Sequence, residues 1–448
     1  MGGEWKLTRL GDHISVKGGL SYKKEFVDKG NTFLLGMGCV SHTERFLYKG
    51  CRKYGGDFTD THVVRPGDLV IATRQQSDNL PILGFPAMIP SDFKEREVVA
   101  ATNLYKVFNL SEISNQFLFW LLRGTAYKNR ILECSKGTTV RMLTKDAIED
   151  FFFDCPSACE RDAIANILDA LEDKIELNRK MNATLEQMAR ALFQSWFVDF
   201  DPVHAKAAGR QPVGMDKATA DLFPDSFVDS KLSKIPTGWS ACPLDEEFVE
   251  IVKGRSYRSD ELAESKTALV TLKSFLRGGG YRPDGLKPFT GEYKTNQIVR
   301  PGDLIVAFTD VTQAADVIGK PALVSSNESF ETLVASLDVG IVRPKSKLVS
   351  IPFLYCLFRT PGFEGHTYSH ATGTTVLHLS SKAIPSFVSI IATIEIVEEF
   401  EKRVKPIFNL IDVNSKQSST LSALRDTLLP KLLSGELRVK ELNSKISA

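Results

Sequence analysis

The chain has 448 residues, 43% of them hydrophobic and 25% charged, and its 56 basic and 55 acidic residues leave a net charge of +1. That length exceeds one ordinary core and predicts two to three domains of a folded soluble protein. Near-neutrality excludes a protein that coats polyanions without selection, but it leaves room for a local basic groove.

No stretch approaches the roughly 18 uninterrupted apolar residues of a membrane span. The N-terminus, MGGEWKLTRL, has no apolar signal core, and Lys6 stands where a myristoylation signal needs Ser or Thr. Seven cysteines without a Cys-x-x-Cys spacing predict reduced thiols in a cytoplasmic protein.

Taken in chain order, residues 1–155 show short apolar runs separated by Gly, Pro, Asn and Asp, which predicts a β-rich domain. Within it, Arg65-Pro66-Gly67-Asp68 predicts a turn, with Pro presetting φ and Gly taking positive φ. A buried strand follows at 69–72, and a helix is predicted near 115–123. Over 156–200 the texture changes, with neither Gly nor Pro from Cys159 to Phe200. Leu168, Leu171, Ile175, Asn178, Asn182, Leu185, Ala189, Leu192 and Trp196 alternate in steps of three and four, the seam of a coiled coil. Residues 201–238 carry four prolines and no sustained period, and predict a long connector of the kind that is either functional or disordered.

The pattern then starts again. Residues 64–72 read VRPGDLVIA and residues 299–307 read VRPGDLIVA, a shift of 235. A shift of 236 carries FLFWLLRG at 117–124 onto FLYCLFRT at 353–360, and GTTV at 137–140 onto GTTV at 373–376. Near the starts, one inserted residue brings Lys17-Gly18 onto Lys253-Gly254. Residues 239–392 are therefore a second copy of the β-rich domain, with its helix near 352–359. Residues 393–436 are a second long helix, with seam residues Val404, Ile407, Ile411, Asn414, Ser418, Leu421, Arg425, Leu428 and Leu432. A period this long means two domains and not a solenoid. Helices of roughly 60 Å with one apolar stripe need a partner, and each helix is the other's. Pro406 should kink the second helix or mark its first turn. Asn178 and Asn414 occupy equivalent seam positions, either setting register or lying exposed where the coil splays. Trp196-Phe197 and the apolar face at 428–433 are either docking surfaces for partners or coil-end packing. The predicted fold is thus α+β: two similar β-rich domains joined by two long helices in an antiparallel coiled coil, with internal pseudo-twofold character.

The usual catalytic signatures are missing. Asp201-Pro202-Val203 lacks the second Pro and the aromatic of an amino-methyltransferase base-gripping loop. Gly36-Met37-Gly38 holds two of the three glycines of a dinucleotide fingerprint, and no Gly-x4-Gly-Lys-Ser/Thr phosphate loop occurs. His366 and His370 are four apart, but Pro361, Gly362 and Gly365 predict a loop instead of a helix presenting both as metal ligands. The chain is read as non-catalytic.

Several stretches resemble the DNA-specificity subunits of type I restriction–modification systems. They are IELNRKMNATLEQMARALFQSWFVDFDPV at 175–203, LFPDSF at 222–227, IPTGW at 235–239 and RDTLLPKLLSGELRV at 425–439. The resemblance covers essentially the whole chain. It implies two target-recognition domains, each reading half of a split site in double-stranded DNA, with the helices setting their separation. It also implies two modification (methyltransferase) subunits and restriction subunits as partners. S-adenosylmethionine and ATP are then expected on those partners, with no cofactor and no metal on this chain. The rival is a non-catalytic scaffold that joins two proteins through its twin domains.

Three loops in each copy carry residues suited to phosphate and base-edge contacts. The first holds Tyr22, Lys23 and Lys24, answered by Arg255, Tyr257 and Arg258. The second holds Arg74, Gln75 and Gln76, answered by Thr309 and Asp310, so the copies diverge just after a near-identity. The third holds Lys136 and Arg141, answered by His378.

Overall fold

The computed structural model describes residues 5–75, 82–137, 140–312, 314–327 and 329–439. Gln76 and the Thr138-Thr139 pair lie outside them. The chain divides into two compact units, the first made of residues 1–177 with 419–448 and the second of 178–418.

In the first unit the repeated motif makes the turn its residues demand. Asp68 donates its N–H to Arg65 O at 2.9 Å, and Gly67 sits at φ 84°. The strand that follows, Leu69–Ala72, is central in an antiparallel sheet ordered Ile14–Gly18, Leu104–Asn109, Leu69–Ala72, Pro86–Met88. Its four side chains are all buried because both faces are covered. Leu69 and Ile71 face one apolar cluster with Phe117 and Trp120, while Val70 and Ala72 face another with Val98 and Phe93. A period of two thus divides one strand between two cores. The second sheet runs Cys51–Tyr54, Val27–Leu35, Val98–Ala100, with the last pair parallel.

The second unit repeats this plan. Its sheet runs Val249–Lys253, Val339–Pro344, Leu304–Ala307, Pro321–Leu323. Leu304 and Val306 point into one cluster and Ile305 and Ala307 into another. Helices Asn115–Leu121 and Ile351–Phe358 are equivalent, each capped by a serine: Ser114 accepts from Phe117 N and Ser350 from Phe353 N, both at 3.3 Å.

Each domain is tied to helix within its own unit. Arg45 reaches Asp169 at 3.1 Å and Asp173 at 2.7 Å on the long central helix Ala158–Phe193, where Trp120 Nε1 also donates to Asp169 at 2.9 Å. In the second unit Arg359 pairs with Glu186 at 3.3 Å, and Ser326 Oγ donates to Asp412 at 2.7 Å on the C-terminal helix Ile394–Ser434.

The two long helices pair antiparallel. In the second unit Asn178 lies against Asn414 and Ser418, and Asn182 against Ile411 and Ser415. In the first, Glu172 pairs with Arg425, and Leu168 shares a core with Leu432. Every predicted seam residue is buried or half-buried, whereas Leu177, Met188, Leu410, Val413 and Leu424, off the seam, are exposed. The fold class read from sequence is the observed one.

Several details decide between the alternatives or depart from the expectations. The C-terminal helix runs on through Pro406, twelve residues after its start at Ile394, so that proline does not mark a first turn. Trp196 and Phe197 are both buried, in one cluster with Phe193, Phe353 and Phe400. A single turn of π-helix at Gln194–Val198 widens the helix and lets two adjacent side chains face inward, so this pair is packing at the coil's end and not a docking face. Leu428, Leu429, Leu432 and Leu433 likewise pack into the first unit's core. Residues 201–238 form helices Asp201–Ala207 and Lys217–Leu222 and a hairpin of Phe227–Asp229 with Lys234–Pro236, held by Val203, Ala220, Phe223 and Trp239. Finally, Pro361–Ser369 is a helix and not a loop. Pro361 opens it, Thr360 caps it by accepting from Phe363 N, and the rings of His366 and His370 lie 4.2 Å apart between centroids. Nε2 of His366 is 2.8 Å from Ala383 O, a structural contact.

Candidate nucleic-acid interface

The three candidate loops are far apart in the chain, yet in each unit they meet at one turn. In the first unit that turn is residues 101–104. Gly19 donates to Leu104 O at 2.9 Å and Leu20 to Ala100 O at 2.7 Å, which anchors the first loop. Thr73 donates to Asn103 O at 3.0 Å, anchoring the second, and Leu143 donates to Thr73 O at 3.0 Å, anchoring the third. Arg74–Gln75 then pairs antiparallel with Arg141–Met142, and Lys136 bridges Met142.

The second unit builds the same junction on residues 336–339. Gly254 donates to Val339 O at 3.1 Å and Arg255 to Ala335 O at 2.8 Å. Phe308 donates to Asp338 O and Leu379 to Phe308 O, both at 2.8 Å. Thr309–Asp310 pairs with Leu377–Leu379, which also pairs with Ala371–Thr372. The glycines are required here. A Cβ on Gly19 would strike Ala101 O, and one on Gly254 would strike Ser336 O. These two glycines are therefore equivalent at a shift of 235. The structure corrects the match of Lys17-Gly18 to Lys253-Gly254, because Gly18 pairs with Tyr105 and it is Lys253 that pairs with Gly340.

At the first junction Lys23, Lys24, Arg74 and Lys136 are exposed. Tyr22 is half-buried, edge-on to Tyr54 with centroids 6.4 Å apart. Arg141 is half-buried with Nη1 3.4 Å from Ser135 Oγ. Gln75 is not an exposed base reader. It is 8% accessible, and its Oε1 accepts from Leu83 N at 3.2 Å. The strand's alternation turns Arg74 outward and Gln75 inward.

At the second junction Arg258 and His378 are exposed. Arg255 is half-buried, ion-paired to Glu261 and 5.3 Å from the centroid of the Phe289 ring. Tyr257 is half-buried, and its hydroxyl accepts from Lys287 Nζ at 3.2 Å. Thr309 is buried. Asp310 is 1% accessible and accepts from the N–H groups of Thr312, Val317 and Ile318 at 2.6, 2.6 and 2.9 Å. Burial works to raise its carboxyl, but those hydrogen bonds prevail and hold it below the usual carboxylate range. Asp310 braces the loop from inside, so neither Thr309 nor Asp310 offers an edge to a ligand.

The sequence reading missed the turn itself. Thr102 and Leu337 stand exposed at equivalent places in it. Their one sequence signal is position, since each lies in the short break between two strands at the shift of 235. Lys287 was missed as well, because it comes from a strand distant in sequence.

Among the described residues no group of three His, Cys, Asp or Glu side chains is placed to hold a metal, and no helix is long and apolar enough to cross a membrane.

Residues 2–187 match the family model of the type I restriction modification DNA specificity domain. The chain is 26% identical over 378 residues to the type I restriction enzyme HindI specificity subunit of Haemophilus influenzae, covering 73% of this chain and 79% of that protein. It is 26% identical over 335 residues to the MjaIX specificity subunit of Methanocaldococcus jannaschii, covering 74% and 71%. In fold it is similar to the crystal structure of the type I S subunit from M. genitalium, with a TM-score of 0.52 at 16% identity over 96% of both chains. With that domain matched in its first part and the same plan repeated in its second, the chain is similar in sequence and in fold to type I restriction–modification DNA specificity subunits.

Proposed function

We propose that this chain reads a two-part sequence in double-stranded DNA, one part through each unit, and that the junction of three loops is the reading surface. The observation that carries this is the contrast within the repeat. The four anchoring main-chain bonds of the two junctions correspond, while the exposed side chains differ: Lys23, Arg74 and Lys136 on one, Arg258, Leu337 and His378 on the other. A constant scaffold with divergent tips is what two different half-sites require. The chain itself is non-catalytic and carries no cofactor. It works in the cytoplasm, where two modification subunits using S-adenosylmethionine dock on its two similar halves, and restriction subunits using ATP join them.

The test is to sequence the methylome of a host that expresses this chain with its modification subunit. The expected result is one split motif with a fixed gap. Grafting the exposed residues of one junction onto the other should change one half of the motif and leave the other intact. Specific and scrambled duplexes bound equally well by the assembled complex would point instead to the scaffold role.

A further inference from the structure

The two junctions differ in kind as well as in detail. The first presents exposed cations at Lys23, Lys24, Arg74 and Lys136. The second presents apolar tips. Leu337 is 53% accessible and Val311 is 66% accessible, and of the first loop's cations Arg255 is ion-paired to Glu261 while Arg258 is exposed. An exposed leucine needs no explanation when it stands alone on a surface. Leu337 does not stand alone. Its own N–H donates to Arg255 O at 2.7 Å, and the carbonyl of the next residue, Asp338, accepts from Phe308 N. The turn is thereby pinned to the first loop on one side and to the strand leading to the second loop on the other. Leu337 is the tip of a turn tied by main-chain bonds on both sides. Val311 follows directly on the buried Asp310, whose bonds to Thr312, Val317 and Ile318 fix the backbone there. Two apolar side chains are held outward by rigid backbone on a surface assigned above to DNA. The equivalent of Leu337 in the first unit is Thr102, smaller and hydroxylated.

On the edge of a base pair, the partner that suits an aliphatic side chain is the C5-methyl group of thymine in the major groove; the other edge groups are polar donors and acceptors. We propose that Leu337 is a specificity-determining residue of the second unit, reading a thymine methyl in that unit's half-site, with Val311 supporting it. This inference rests on the junction being the reading surface. It adds that apolar contact contributes to the choice of the second half-site, beside the exposed Arg258 and His378.

The experiment uses the full chain assembled with its modification subunit, and measures affinity for duplexes carrying the specific motif. Each thymine is replaced in turn by deoxyuridine, which removes the methyl and keeps every hydrogen-bonding group. The wild-type complex should lose about fourfold in affinity at one position of one half-site, as burial of a single methyl implies. Leu337→Ala should bind thymine and deoxyuridine duplexes alike at that position, and Thr102→Ala should leave the dependence intact. Because Leu337 is exposed, both variants should unfold at the wild-type temperature. Specific binding that is indifferent to every thymine methyl overturns the assignment of Leu337 while leaving the function reading standing. Loss of discrimination between specific and scrambled duplexes in the wild-type complex overturns both.

Discussion

Asn178 and Asn414, equivalent residues of the two repeats, meet in the second unit: the Nδ2 of Asn178 donates to the main-chain carbonyl of Asn414 at 3.3 Å. Asn178 also donates to Gln417 and Ser418, and the Nδ2 of Asn414 donates to Oδ1 of Asn182 at 2.9 Å. This is a polar layer in the seam, and of the two sequence readings it is the register-setting one that the burial of both residues supports. The bonds differ in what a mutation removes. The Asn182–Asn414 bond joins two side chains, so a double-mutant cycle with alanine at both should give a coupling of about 1 kcal/mol. The Asn178–Asn414 bond ends on backbone, so the corresponding cycle should be additive within about 0.5 kcal/mol. Denaturant unfolding of the full chain measures both.

In the first unit the same seam holds a buried ion pair, Glu172 with Arg425, the two side chains 1% and 5% accessible. Removing one partner strands the other charge. Arg425→Met alone should destabilise the chain by about 3–5 kcal/mol, whereas Arg425→Met combined with Glu172→Leu should recover most of that loss. If the single and double variants unfold at the same denaturant concentration, the pair is not the determinant of this layer.

The repeat, the central strands and the helical seam were legible in the sequence because each is a local or periodic property. VRPGDL states its own turn and strand, and nine seam residues in steps of three and four state a partner helix. What was illegible depended on contacts between distant residues. Nothing near Gln75 or Asp310 reveals that one will face Leu83 N and the other will gather three N–H groups, because burial there is decided by the pairing with Arg141–Met142 and Leu377–Leu379. The glycines of Pro361–Ser369 read as loop, yet a capping threonine and burial of Phe363 against Phe358 and Phe387 outweigh their poor helix propensity.

Asp310 should therefore report on stability and its dependence on pH. A carboxyl held below its unfolded value, about 3.9 for aspartate, adds stability that is fully present above that value and is lost as pH falls through the folded one. Asp310→Asn should cost about 1–3 kcal/mol near pH 7. The gap between wild type and variant should narrow between about pH 5 and pH 3. Thermal unfolding across that range checks the sign, and a gap that widens in acid would contradict it.

Arg74 and Gln75 are neighbours that a sequence-level argument treats alike and the structure separates. Arg74 is exposed at the junction, while Gln75 is 8% accessible and accepts from Leu83 N. Arg74→Ala should relax the choice of base at one position of one half-site, worth about 1–3 kcal/mol of discrimination, without changing the unfolding temperature. Gln75→Ala should do the reverse, destabilising the chain by about 1–3 kcal/mol through the unsatisfied Leu83 N–H while leaving the methylated motif unchanged. Methylome sequencing with each variant separates the two. A uniform loss of affinity on every duplex for Arg74→Ala, with a shallower dependence on salt, would make that guanidinium a phosphate contact, because a lost phosphate contact weakens all sequences alike and a lost base contact does not.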